Sequence, residues 1–215
     1  MDVEIDQLFR DPDMFRSRDD WRDAGFEVLG RSSDSKIMVA SHASAPGVLF
    51  KKYADEISLK EQIENYERRV EGARRVRELI AARDLRRVVA PKKRIVELPR
   101  QFAGKKRSSY VLLVEQLPIV SEDASRRAYE DIDEGTLHDL IVVLSAFRGL
   151  DSTVKNVPFT TRGQVAFIDT EHWNRHADRD WRDQRPFLKY IGEYLSSDSR
   201  RLAKQIVEKL KDAYD

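Results

Sequence analysis

Three side chains that seek hard cations sit close together in residues 150–171, LDSTVKNVPFTTRGQVAFIDTE: Asp151, Asn156 five positions later, and Asp169 thirteen beyond that. Between them, two short apolar runs, residues 157–159 and 164–168, are joined by Thr-Thr-Arg-Gly, a glycine-containing connection of hairpin length. A hairpin returns the chain to its start, so it is expected to set Asp169 beside Asn156. Magnesium takes oxygen ligands and usually only one or two carboxylates, the rest of its octahedron being water and substrate phosphates. One carboxylate and one amide, Asp169 and Asn156, meet that need, and Asp151 is left to hold an acceptor hydroxyl.

The elements that must position these residues are legible on either side. Residues 1–24 are dense in Asp and Arg, with Leu8, Phe9, Met14, Phe15 and Trp21 among them, and read as one or two short amphipathic helices packed on the outside of the domain, the alternative being a flexible leader recognised by other machinery. Residues 26–29, 37–40 and 47–51 form an antiparallel meander of three short strands. Residues 55–84 carry the longest helical signal, with Leu59, Ile63, Tyr66, Val70, Ala73 and Ile80 at steps of three, four or seven. Residues 88–89 and 94–96 read as a strand or a strand pair, and residues 110–117 as one buried strand. A short helix and a loop follow over residues 121–134. The apolar stretch 136–150 reads as the central helix of a helical half, and residues 186–195 and 199–213 as two closing helices. His138 lies on the central helix and is given no role. A zinc site built from His172, His176 and Asp178 is rejected for want of a helix to carry it.

The spacing of Asp151, Asn156 and Asp169 around a hairpin resembles the catalytic and metal loops of protein kinase-like enzymes. The resemblance implies an α+β, two-lobed protein kinase-like fold. Residues 1–24 would be a helical extension, residues 25–117 a nucleotide-binding lobe of antiparallel sheet plus helix, and residues 118–215 a reduced helical lobe. It implies ATP and Mg²⁺, with Asn156 and Asp169 on the metal and Asp151 on the acceptor hydroxyl. LGRSSDSKI aligns with the family's glycine-rich loop, keeping Gly30 but placing Ser32 and Ser35 where later glycines are expected. VLFKKY resembles the strand that carries the phosphate-binding lysine, matched to Lys51. A shift of one residue would substitute Lys52, on the opposite face. Glu71, or Glu67 one turn earlier, would hold that lysine. Residues Glu115 to Leu117 would form the hinge that binds the adenine edge, with Val114 behind it.

The chain also departs from the family. Gly149-Leu150 stand where a His-Arg pair usually precedes the catalytic Asp, and the metal Asp is followed by Thr170-Glu171 instead of Phe-Gly. IDTE looks like the Asp-x-Glu version of aminoglycoside and choline kinase-like enzymes, in which Glu171 either assists with metal or caps the turn. No Ala-Pro-Glu motif occurs, and 215 − 169 = 46 residues follow Asp169. The pattern is that of a minimal kinase, similar to the small effector kinases that bacterial pathogens deliver into host cells, one group of which modifies a host heat-shock chaperone. The expectation is a monomeric enzyme acting on a protein hydroxyl, cytoplasmic or secreted into a host cytosol. Its rivals are a small-molecule phosphotransferase and a catalytically silent binding module.

Composition narrows the classes. Charged residues make up 36% of the 215 positions but nearly cancel, at +1, so no global field argues for nucleic acid or a lipid surface. In the long helix Glu67, Glu71, Glu78 and Asp84 interrupt the basic residues, which reads as a salt-bridged face and not a nucleic-acid surface. No stretch has the length of a membrane-spanning helix, and the acidic N-terminal residues do not fit a secretory signal. The absence of cysteine excludes disulfides and thiolate metal sites.

Overall fold

The computed structural model describes residue 8 and residues 18–29, 37–53, 58–97, 110–174 and 191–214. The chain is mixed α+β, built around a five-stranded antiparallel sheet with helices, and its contacts divide it into two compact units. The first holds residues 1–70 and 92–116, the second residues 71–91 and 117–215.

In the first unit the helix α1 (Arg18–Asp23) leads into strands β1 (Phe26–Val28), β2 (Ile37–His42) and β3 (Val48–Tyr53). These form the expected meander, with Val28 opposite Ala40 and Val39 opposite Lys51. The helix α2 (Leu59–Ala82) follows; residues 55–57 of its expected span lie outside the described residues, and it ends two residues before residue 84. The short strand β4 (Val88–Val89) comes next and belongs to the second unit, before β5 (Lys93–Glu97) and β6 (Tyr110–Glu115) complete the first. Sheet order is β1-β2-β3-β6-β5, every pairing antiparallel.

Alternation along β3 gives the sheet two distinct faces. Val48 and Phe50 pack with Trp21 and Phe26, whose rings lie 4.9 Å apart. Trp21 is fully buried there, so α1 covers one face of the sheet. Leu49 and Tyr53 pack on the other face with Tyr66 and Val70 of α2, alongside Leu112 and Val114.

Residues 88–89 and 94–96 do not pair with each other. β5 lies in the large sheet, whereas β4 pairs in parallel with β7 (Val165–Ala166) in the second unit, Val88 opposite Val165. Both runs are short and β-branched, so periodicity alone cannot assign their partners.

The second unit is organised on α4 (Glu134–Ala146), preceded by α3 (Glu122–Glu130) and followed, after the β7 hairpin, by α5 (Ser197–Tyr214). Leu137, Leu140, Ile141, Val143 and Leu144 of α4 are buried, which is why its sequence reads as apolar on most sides. Asp133 caps its start, accepting from the Thr136 N–H at 3.0 Å and from the Thr136 hydroxyl at 2.5 Å. The Thr136 hydroxyl, chiefly, holds the Asp133 carboxyl below the usual range. Ile206 and Val207 of α5 join the same core. Of the closing helix expected over residues 186–195, residues 186–190 lie outside the described residues.

Candidate functional site

The hairpin forms by backbone bonds at every second residue. Thr160 N–H donates to the Gln164 carbonyl (2.8 Å), Ala166 N–H to Pro158 (2.8 Å) and Ile168 N–H to Asn156 (3.0 Å). Gly163 turns it with φ +76°, a conformation that glycine adopts without strain. The Thr160 hydroxyl accepts from the N–H groups of Arg162 and Gln164, closing the turn from inside. Two buried side chains of α3 hold the first arm: the Tyr129 hydroxyl donates to the Val157 carbonyl at 2.6 Å, and the Ser125 hydroxyl accepts from Phe159 N–H. Burial pushes the Tyr129 phenol far above its ordinary pKa, so it stays a donor at all physiological pH. The second arm is bonded to the residues after α2, with Val165 N–H donating to the Arg87 carbonyl and Phe167 N–H to Val89.

This frame bonds Asp151 to Asn156 and sets the backbone of Asn156 beside that of Ile168, the residue before Asp169. The Asn156 side-chain amide donates to Asp151 Oδ2 at 2.8 Å, and the Thr153 N–H donates to Asp151 Oδ1 at 2.9 Å. Val154 and Val157 are buried on either side of exposed Lys155 and half-buried Asn156, so the loop is pinned inward by its apolar residues and offers Asp151 to solvent. Because the Asn156 carbonyl accepts from Ile168 N–H, Asp169 is the next residue along from that bond. Asp169 is half-buried, and its Oδ1 accepts from the Glu171 N–H at 3.4 Å, a local turn of the same kind as Asp151 makes with Thr153.

The donor set suits a hard cation. With its NH₂ directed at Asp151, the Asn156 amide has its oxygen as the remaining group, and Asp169 supplies a carboxylate. Among the described residues no three His, Cys, Asp or Glu side chains cluster as a ready-made metal cage. His176 and Asp178 lie outside the described residues. Glu171 Oε1 lies 3.3 Å from His172 Nε2.

No protein-family model matches the chain, and no curated protein does.

The remaining predicted residues fall as follows. Lys51 is half-exposed on the α2 face of the sheet, with Leu49 and Tyr53 flanking it, whereas Lys52 is 1% exposed and turned by strand alternation toward the Trp21 face. Gly30, Ser32 and Ser35 lie outside the described residues. Glu67 is exposed. Glu71, expected to hold the lysine, is instead engaged by its own helix. Arg74 donates to it from Nε at 2.8 Å and Nη2 at 2.5 Å, and Arg75 from Nε at 2.8 Å. Spacings of three and four put both guanidinium groups over one carboxylate, and bonds from Arg74 and Arg75 lower its pKa to about 2. At the expected hinge, Glu115 N–H donates to the Lys92 carbonyl and Glu115 Oε2 accepts from Lys92 N–H, while Gln116 N–H donates to Gly47. Those two N–H groups therefore serve the sheet. The Leu117 carbonyl accepts from Ile119 N–H at 2.9 Å.

Two residues to which the sequence reading gives no role shape the loop after Asp169. Gly72 of α2 lies so close to the Thr170 carbonyl that a Cβ built on it would stand 2.0 Å away. Trp173 is packed edge-on against Phe147, centroids 6.2 Å apart, with the Arg75 guanidinium 5.8 Å over its ring. A glycine in the middle of a long helix is the signal that could have marked that close approach.

Proposed function

We propose that this chain is a minimal kinase that transfers the γ-phosphate of ATP to a protein hydroxyl. The observation that carries the reading is the bonded constellation of Asp151, Asn156 and Ile168, which ties one carboxylate, one amide and the residue before a second carboxylate to the base of a single hairpin. Support also comes from the first unit, an antiparallel sheet with a half-exposed lysine on its third strand and a long helix directly after it.

In this reading Asn156 Oδ1 and Asp169 hold Mg²⁺, which supplies neutralisation of phosphate charge when bound. Asp151 orients the acceptor hydroxyl and takes its proton late, from a carboxylate whose direction is fixed by Thr153 N–H and the Asn156 amide. Lys51 engages the phosphates as a point charge, and the Leu117 backbone is the hinge group assigned to the adenine edge. Glu71 already carries two guanidinium partners, so we leave it out of the phosphate site. Phosphoryl transfer asks mainly for positioning and charge stabilisation, which a small number of well-held residues can supply. The resemblance to bacterial effector kinases makes a heat-shock chaperone the first acceptor to test.

The test is transfer of labelled phosphate from ATP in the presence of Mg²⁺ onto a host-cell lysate, onto purified chaperone and onto small amino alcohols. A labelled protein band is expected from the wild type and none from Asp169→Ala at unchanged melting temperature. Equal labelling by Asp169→Ala refutes the site. Label on the amino alcohols alone favours a small-molecule phosphotransferase, and ATP binding without transfer favours a binding module.

A further inference from the structure

Tyr66 is fully buried on α2, and its hydroxyl serves two backbone groups of β3 at once. It accepts from the Tyr53 N–H at 3.0 Å and donates to the Lys51 carbonyl at 3.3 Å. The pairing of β3 with β6 ends at Lys51 opposite Leu112, and residues two apart on a strand turn their backbone groups to the same edge. The phenol therefore closes the strand where its β6 partner gives out. Its ring packs against Tyr53, centroids 5.2 Å apart, on the face that also carries the Lys51 side chain. Phenylalanine would fill the same volume without bonding either backbone group, and glutamate would accept from Tyr53 but offer nothing to the Lys51 carbonyl.

We propose that Tyr66 is a positioning residue for Lys51, fixing the backbone on both sides of Lys52 so that the Lys51 ammonium is held on the α2 face in one register. This rests on reading Lys51 as the cation that engages the ATP phosphates. In that role Tyr66 does for the lysine, through the backbone, what Glu71 was expected to do through its side chain.

The experiment uses the full chain with Tyr66→Phe, Lys51→Met and the double variant. Amide exchange at Tyr53 is expected to quicken by about tenfold in Tyr66→Phe, the loss of one good hydrogen bond, with β1 and β2 amides unchanged. Calorimetric binding of Mg-ATP is expected to weaken about tenfold in Tyr66→Phe, and the double variant to bind no worse than Lys51→Met. A merely structural role would give additive losses in that cycle. Unchanged Tyr53 exchange, or additive losses with the wild type binding normally, overturns the inference and leaves the kinase reading standing. A wild type that does not bind Mg-ATP overturns both. Should Tyr66→Phe fail to fold, the wild type alone decides: added Mg-ATP must slow Tyr53 amide exchange, and no change overturns the inference.

Discussion

Replacing Gly72 by alanine sets two opposed effects against each other at one position. Alanine is the better helix former in the interior of α2, by about 1 kcal/mol. Its methyl group, however, would stand 2.0 Å from the Thr170 carbonyl oxygen, 2.8 Å from Trp173 Cδ1 and 3.0 Å from the Thr170 carbonyl carbon. Real contacts of this kind are essentially never under 3.0 Å, so helix and loop must separate by at least 3.0 − 2.0 = 1.0 Å. The obstacle is backbone, which cannot swing aside as a flexible side chain would. Overpacking costs about 1–3 kcal/mol, and a clash against backbone takes the upper half of that range, about 2–3 kcal/mol, so after the helix gain of about 1 kcal/mol sterics win by about 1–2 kcal/mol. For a chain of this size that is a fall in melting temperature of about 2–8 °C. Thr170 adjoins Asp169, and under the proposed kinase function a displacement near 1 Å at that positioned group is expected to lower turnover by about a hundredfold. Thermal melts followed by circular dichroism, together with labelled-phosphate transfer, measure both effects. A Gly72→Ala protein as stable as the wild type, or more so, would show that propensity acts unopposed and that the close approach is not real.

Further outcomes follow from the hairpin and the α4 cap. Tyr129→Phe leaves the buried Val157 carbonyl without its donor and is expected to destabilise by about 1–3 kcal/mol, seen as a lower melting temperature; an unchanged value would remove that bond from the frame. Asp133→Ala removes the N-cap of α4 and is expected to cost about 1 kcal/mol at neutral pH. Because the Asp133 pKa is lowered in the folded chain, its contribution is complete above the ordinary aspartate value of 3.8 and fades as pH falls through the folded value. The wild type and Asp133→Ala should therefore converge in stability in strong acid, and a gap that persists there would refute the cap's role.

How much of this was readable in the chain depends on whether a feature is carried by pattern or by partner. The hairpin was legible because Gly163 marks its turn and two apolar runs flank it, and the meander because strand and turn residues alternate over residues 26–51. The separation of Lys51 from Lys52 followed from strand alternation alone, and their unequal exposure agrees with it. Val88 was misjoined because its partner, Val165, lies far along the chain and nothing local names it. Glu71 was assigned to a lysine while two arginines on its own helix, at three and four residues' distance, were the nearer claimants. Tyr66 was read only as an apolar position of a helical stripe, since periodicity registers its ring and is blind to what its hydroxyl bonds.

The interleaving of the two units bears on how the molecule is made. Residues 71–91 leave the ribosome before β5 and β6, yet β4 finds its partner only when Val165 and Ala166 have been synthesised. The five-stranded sheet can be completed once Glu115 has emerged, while β4 must wait through the 165 − 89 − 1 = 75 residues that separate it from β7. Truncations that stop before residue 165 should thus yield a formed sheet with β4 left without its strand partner, an aggregation-prone species.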